Sequence, residues 1–245
     1  MIGAALLTST LDLLAWSPPG WGATLMVALG KSILIAIGAF ALGLLIGIGG
    51  AYGKLYGSPV TRDLLGIYTT IVRAVPELIL ILILYFAVTS SLNSLLMSWG
   101  FERIQISGFV AGIAVLGIVQ GAYATEVLRG AILSVPSGQI EAARAMGMPP
   151  LMLAWRVTFP QMLAAAFPGL ANLWLIATKD TALLAVVGYA ELTLVTRQAA
   201  STTKAFFTFF MAAGVLYLLI SIVSSLLFAR AEAWARRGQT RPRSS

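Results

Sequence analysis

The chain has 245 residues, of which 59% are hydrophobic and 10% charged, with a mean hydropathy of +0.91. Soluble domains carry roughly 25% charged residues, so this composition excludes an ordinary water-soluble fold and favours a bundle of membrane spans. The formal charge of +7 does not point to nucleic acid, because the basic residues are unevenly placed.

The first 30 residues carry one acid, Asp12, and no Lys or Arg, whereas Arg230, Arg236, Arg237, Arg241 and Arg243 crowd the other end. The extracytoplasmic segment 1–21 lacks a cationic region ahead of its apolar residues, so no cleaved signal peptide is expected. Five charge-free stretches, 32–53, 78–101, 104–125, 157–178 and 205–229, are long enough to cross a bilayer core as helix. A further stretch, 13–30, is broken by Ser17-Pro18-Pro19-Gly20, which reads as a turn into the first helix.

The predicted fold is all-α: a polytopic membrane bundle with spans at about 22–52, 74–98, 108–128, 161–187 and 205–229. They form one transmembrane domain over 22–230, and a basic cytoplasmic tail, 231–245, follows. Positive charge marks the cytoplasmic side, which places the N-terminus outside and the C-terminus inside and demands an odd number of spans. With neither Cys nor His in the chain, thiolate metal sites and the commonest metal ligand are absent, and no metal or catalytic residue is expected.

In the first span Gly43, Gly47 and Ala51 recur every four residues, a stripe that lets another helix approach closely. Lys31 is expected to snorkel to the outer surface. Lys54, Arg62 and Arg73 read as a cytoplasmic connection, and Asn93, Ser98, Gly100, Glu102 and Arg103 as a short outer loop. Residues 130–160 hold Glu141, Arg144 and Arg156 and are too polar to cross. The fourth span is expected to begin after Pro160 and to bend at Pro168-Gly169. An outer segment with Glu191, Arg197 and Lys204 leads to the last span.

Within 130–160 a short helix is predicted, with Ser137 as its cap and Gly147 as a left-handed stop. Pro149 and Pro150 suit the first turn of the next helix. By spacing alone this segment is either a surface connector or a knob on which a soluble partner closes.

The spacing of Glu141-Ala142-Ala143, Gly147, Val157, Phe159 and Pro160 resembles the signature loop of binding-protein-dependent ABC importer permeases. Val157 and Phe159 replace the usual Ile and Leu. Tyr68-Thr69-Thr70, Arg73, Val75-Pro76, Gly121-Ala122-Tyr123, Glu126, Arg129-Gly130-Ala131, Val135-Pro136 and Thr181-Ala182-Leu183 extend the likeness to polar amino-acid permeases, especially those for histidine, lysine, arginine, ornithine and opines. Ala74 departs from the usual Gly.

The resemblance implies an inner-membrane subunit importing a polar, basic amino acid or an opine, coupled through Glu141, Ala142, Ala143, Gly147 and Pro160 to ATPase closure. It further implies a related or identical second permease subunit, two cytoplasmic ATPase subunits and an extracytoplasmic amino-acid-binding protein. ATP and Mg belong to the ATPase. This chain offers no phosphate loop, since Ile48 and Leu55 stand where Gly and Ser or Thr would flank Gly53-Lys54.

Ionisable residues in spans are costly and usually line a path or pair with one another. Gln120, Tyr123, Glu126, Asn172, Lys179 and Asp180 are the candidate substrate-pathway residues. Tyr123, Glu126 and Arg129 share a helix face, so Glu126 serves either a gate or a local ion pair. Glu77 follows Pro76 and reads as lying near the cytoplasmic end of the second span. Lys179 and Asp180 fall near mid-membrane if the fourth helix restarts at Pro168, and at the outer rim if it runs unbroken from Pro160. The alternative function, an ion-coupled secondary transporter or channel, would need no docking helix.

Overall fold

A computed structural model describes residues 12–102 and 107–235. In chain order its helices are α1 (Gly22–Tyr56), α2 (Pro59–Ala74), α3 (Glu77–Ser98), α4 (Gly108–Leu133), α5 (Ser137–Ala145), α6 (Pro150–Ala185), α7 (Leu192–Thr203) and α8 (Phe206–Ala235). Five of them, α1, α3, α4, α6 and α8, are long and apolar enough to cross a membrane. Arg103, the tail residues Arg236, Arg237, Arg241 and Arg243, and residues 1–11 of the N-terminal segment lie outside the described residues.

The centre of the bundle is the pair α1 and α4, which run side by side in the same direction. Gly38 meets Ile113, Gly43 meets Gln120 and Gly47 meets Ala124. A Cβ at Gly47 would stand 2.5 Å from that of Ala124, so only a hydrogen fits there. The small-residue stripe therefore sets both the spacing and the register of these helices. α6 crosses the other side of α4, with Gly169 against Val127, and a core of Ala51, Ala124, Leu128, Ala131, Ala166, Leu170 and Leu173 closes between the three.

The second span-length helix, α3, is preceded by a packed helix of its own. α2 turns back along α1, with Leu65 against Gly53 and the Lys54 ammonium 2.6 Å from Thr69 Oγ1. It reaches Ile118, whose carbonyl accepts the Tyr68 hydroxyl, and Val72 packs with Leu80, Val119 and Ala122. Pro76 disfavours helix at the residue before it, and Val75 is extended at φ −94°, ψ 137°. α2 and α3 are thus two helices separated by a break at Val75-Pro76 beside the middle of α4. Arg73 and Glu77 flank that break: Arg73 is exposed in the connection, and Glu77 opens the span-length helix Glu77–Ser98.

The fourth span-length helix starts earlier than the expected span. Pro149 precedes α6 and Pro150 occupies its first position, where the missing N–H costs nothing. A π-helical turn over Ala154–Thr158 loosens the bonding ladder just ahead of Pro160, so the helix passes through that residue. Pro168 lies inside Phe159–Asp180, and the helix does not restart there. The chain then tightens into a 3₁₀ turn, Thr181–Ala185.

Candidate functional site

Gln120 is the midpoint of the 26-residue α4 and is 2% exposed. Its Nε2 donates to Asp180 Oδ2 at 3.4 Å, and Asp180 is 8% exposed. This contact sets the depth of Asp180. Although α6 is unbroken, residues 150–168 precede Gly169 while only 128–133 follow Val127, so α6 overhangs the Leu133 end of α4. Asp180 therefore reaches mid-bundle, not the rim.

The Glu77 carboxyl interacts with both Asp180 and the Tyr123 hydroxyl beside the break between α2 and α3. Arg73 lies within electrostatic reach of Tyr123, and Lys179 of Asp180. Two carboxylates thus meet in the interior with cationic side chains at the periphery. Among the described residues, Gln120 Oε1 is the buried side-chain oxygen left without a hydrogen-bond partner. Such an oxygen costs free energy until a donor reaches it. Carboxyl groups and an amide oxygen are acceptors for N–H donors such as those of ammonium or guanidinium groups.

Glu126 belongs to a different group. Its Oε1 accepts from Lys54 Nζ at 2.6 Å, and its Oε2 accepts from Arg129 Nε and Nη2 at 3.1 and 2.9 Å. With Lys54 also donating to Thr69, the ion pairs tie α1, α2 and α4 together. Tyr123, on the same face of α4, turns to Glu77 instead. Asn172 and Lys179 lie on the exposed side of α6.

The short helix α5 has the expected stop but a different start. Pro136 takes the capping position and Ser137 is already helical, so its hydroxyl makes no cap; the Pro136 carbonyl accepts the Gln139 N–H. At the other end Gly147 has φ +74°, a conformation that side chains with a Cβ disfavour. The Gly147 N–H bonds Arg144 O at 2.9 Å and the Met148 N–H bonds Ala143 O at 3.1 Å, which closes a Schellman stop. Ala143 is buried while Glu141, Ala142, Gly147 and Pro160 are exposed. α5 rests on the π-helical turn of α6, the helix that carries Asp180.

The burial of one residue was not foreseen from the sequence. Glu191, expected in the outer segment before the last span, is 0% exposed and heads α7, whose Leu192, Val195, Ala199 and Ala200 join Leu25, Ala28, Leu29 and Phe209 in a core. The helical spacing of those apolar residues behind an acid was the available signal.

Five span-length helices, a polar centre and an exposed helix seated on a long span define a polytopic transport permease. A family model for the binding-protein-dependent transport system inner membrane component matches residues 39–237. The nopaline transport system permease protein NocQ of Agrobacterium fabrum is 40% identical over 93% of this chain and 98% of its own. The histidine/lysine/arginine/ornithine transport system permease protein HisQ of Escherichia coli is 38% identical over 79% of this chain and 86% of its own. The crystal structure of an amino acid ABC transporter with histidines superposes with a TM-score of 0.74 at 27% identity, covering 87% of this chain and 94% of that one. The chain belongs to the family of binding-protein-dependent transport system inner membrane components and is a permease subunit of an ABC importer.

Proposed function

We propose that this permease carries an amino acid or opine with a cationic side chain through the cluster of Glu77, Gln120, Tyr123 and Asp180. The pairing of Glu77 with Asp180 beside the unpartnered Gln120 oxygen is the observation that carries this reading. The two carboxylates and Gln120 Oε1 receive the substrate's positive groups, and Arg73 together with the N-terminal end of α3 receives its carboxylate. NocQ is named for nopaline and HisQ for histidine, lysine, arginine and ornithine, and lysine, arginine and ornithine carry cationic side chains, which supports the choice.

On this reading the N-terminus faces outside and the α5 end faces the cytoplasm, consistent with the charge-poor first 30 residues and with Arg230 at the other end. A single cysteine in place of Ser137 should react with a membrane-impermeant maleimide only after the cells are opened. Labelling of intact cells would reverse the topology.

The complete importer pairs this chain with a second permease, two ATPase subunits holding ATP and Mg, and an extracytoplasmic binding protein. Glu141, Ala142, Ala143 and Gly147 shape the knob on which an ATPase closes, and Pro160 lies in the supporting helix. Displacement of α5 then passes through the π-helical turn along α6 to Asp180, biasing a two-state bundle from outside the membrane.

The test is uptake of a cationic amino acid by proteoliposomes holding the whole importer. Glu77→Gln should reduce it at least tenfold, with the complex still assembled, because hydrogen bonds to charged groups contribute about 1.5–3 kcal/mol. Wild-type uptake by that variant would remove Glu77 from the substrate path.

A further inference from the structure

Glu191 stands where four parts of the chain converge. Its Oε1 accepts the Leu194 N–H at 2.8 Å, and its Oε2 accepts the Thr193 N–H at 2.8 Å and the Tyr217 hydroxyl at 3.2 Å. Ser32 Oγ of α1 lies 3.4 Å from Oε2 and accepts the Leu192 N–H at 3.1 Å. Tyr217, on α8, also interacts with Thr181, the residue immediately after Asp180. Thr193 Oγ1 completes the ring at 3.2 Å from the Tyr217 oxygen.

These are donors converging on an acceptor, the complement of an ionised carboxylate. Burying such a group is expensive, and an apolar residue would fill the space at less cost. What the carboxylate adds is direction. It sets where the segment from Thr181 to Glu191 ends, while Tyr217 ties that end back to the segment's beginning. Between them the chain reverses at Gly188, with φ +84°, and Leu184, 0% exposed, seats against Ile35, Val115 and Leu116. The clasp and the proposed substrate cluster are thus opposite ends of one short segment seated at Leu184.

We propose that Glu191 is a positioning residue for transport: through Tyr217 and the segment 181–191 it holds Asp180 against Gln120 and Glu77. The proposal rests on the reading of Asp180 as a substrate group. Its mechanical half can be measured without that reading, because Gly112 and Leu184 are neighbours across the seat of the segment, a Cβ at Gly112 lying 2.7 Å from Leu184 Cδ1.

The experiment uses the assembled importer with Gly112→Cys and Leu184→Cys, in a chain that has no cysteine of its own. Oxidative crosslinking of that pair reports docking of the segment. Uptake is measured in matching chains without the two cysteines. Glu191→Gln, which keeps shape but presents an amide N–H₂ to the donors, should slow crosslinking at least threefold and uptake at least fivefold. Tyr217→Phe should lower both to a lesser degree, and it decides the matter if the Glu191 variant fails to assemble. Because Glu191 acts through Asp180, the double variant Glu191→Gln, Asp180→Asn should transport no worse than Asp180→Asn alone.

Wild-type crosslinking in the Glu191 and Tyr217 variants overturns the proposal, as does a double variant whose loss is the product of the two single losses. Wild-type uptake by Asp180→Asn alone would sink the substrate reading and the functional half of the proposal. Slowed crosslinking would then remain as a separate finding about the segment.

Discussion

Asp180→Asn is expected to lower uptake of a cationic substrate by at least tenfold, with membrane abundance and subunit assembly near wild type. Asn has the same shape as Asp, and its oxygen still accepts the Gln120 amide that reaches Oδ2 at 3.4 Å. What disappears is one of two carboxylates facing each other in the interior. A charged acceptor contributes about 1.5–3 kcal/mol per hydrogen bond, and about 1.4 kcal/mol is a factor of ten, so the loss lies between roughly ten- and hundredfold. Uptake and stimulation of ATP hydrolysis by loaded binding protein should be read in the same proteoliposomes. Transport at the wild-type rate by the Asp180→Asn variant would show that the facing carboxylates serve the bundle's architecture alone.

Gly147→Val is expected to separate ATP hydrolysis from transport. At φ +74° a β-branched residue is a conformational outlier, and strain of about 1–3 kcal/mol falls on the Schellman stop that ends α5. The N–H groups of Gly147 and Met148 then lose their bonds to Arg144 and Ala143, and the exposed face around Glu141 and Ala142 tilts relative to α6. The spans are packed elsewhere, so insertion and abundance should stay near normal. Uptake should fall at least tenfold, and loaded binding protein should no longer stimulate hydrolysis. Gly147→Ala, with less strain, should fall between the two. Normal coupling in the Val variant would reduce α5 to a connector, whatever its exposure.

Much of the architecture was legible in one dimension because hydropathy and backbone preference act locally. Long charge-free runs mark five helices that prefer lipid, and the four-residue recurrence of Gly43, Gly47 and Ala51 marks the face where α1 meets a neighbour. Gly147 stops α5 where expected because the residues that bond across the stop are its own chain neighbours.

The site depended on relations that no local signal encodes. Whether Asp180 sits at the rim or the centre is decided by how α6 slides along α4, and the contact of Gly169 with Val127 sets that register. Pro76 lies just ahead of the second span-length helix, but the depth of the break there comes from Val72 docking beside Val119 and Ala122. Charge was the most misleading signal, since Glu77 and Glu191 both look like surface residues to a hydropathy average. In the folded chain Glu191 is instead satisfied by donors from three separate helices, and Glu77 faces Asp180 from a different crossing. A carboxylate is tolerated in a bundle only where such partners converge, and that convergence is a property of tertiary packing.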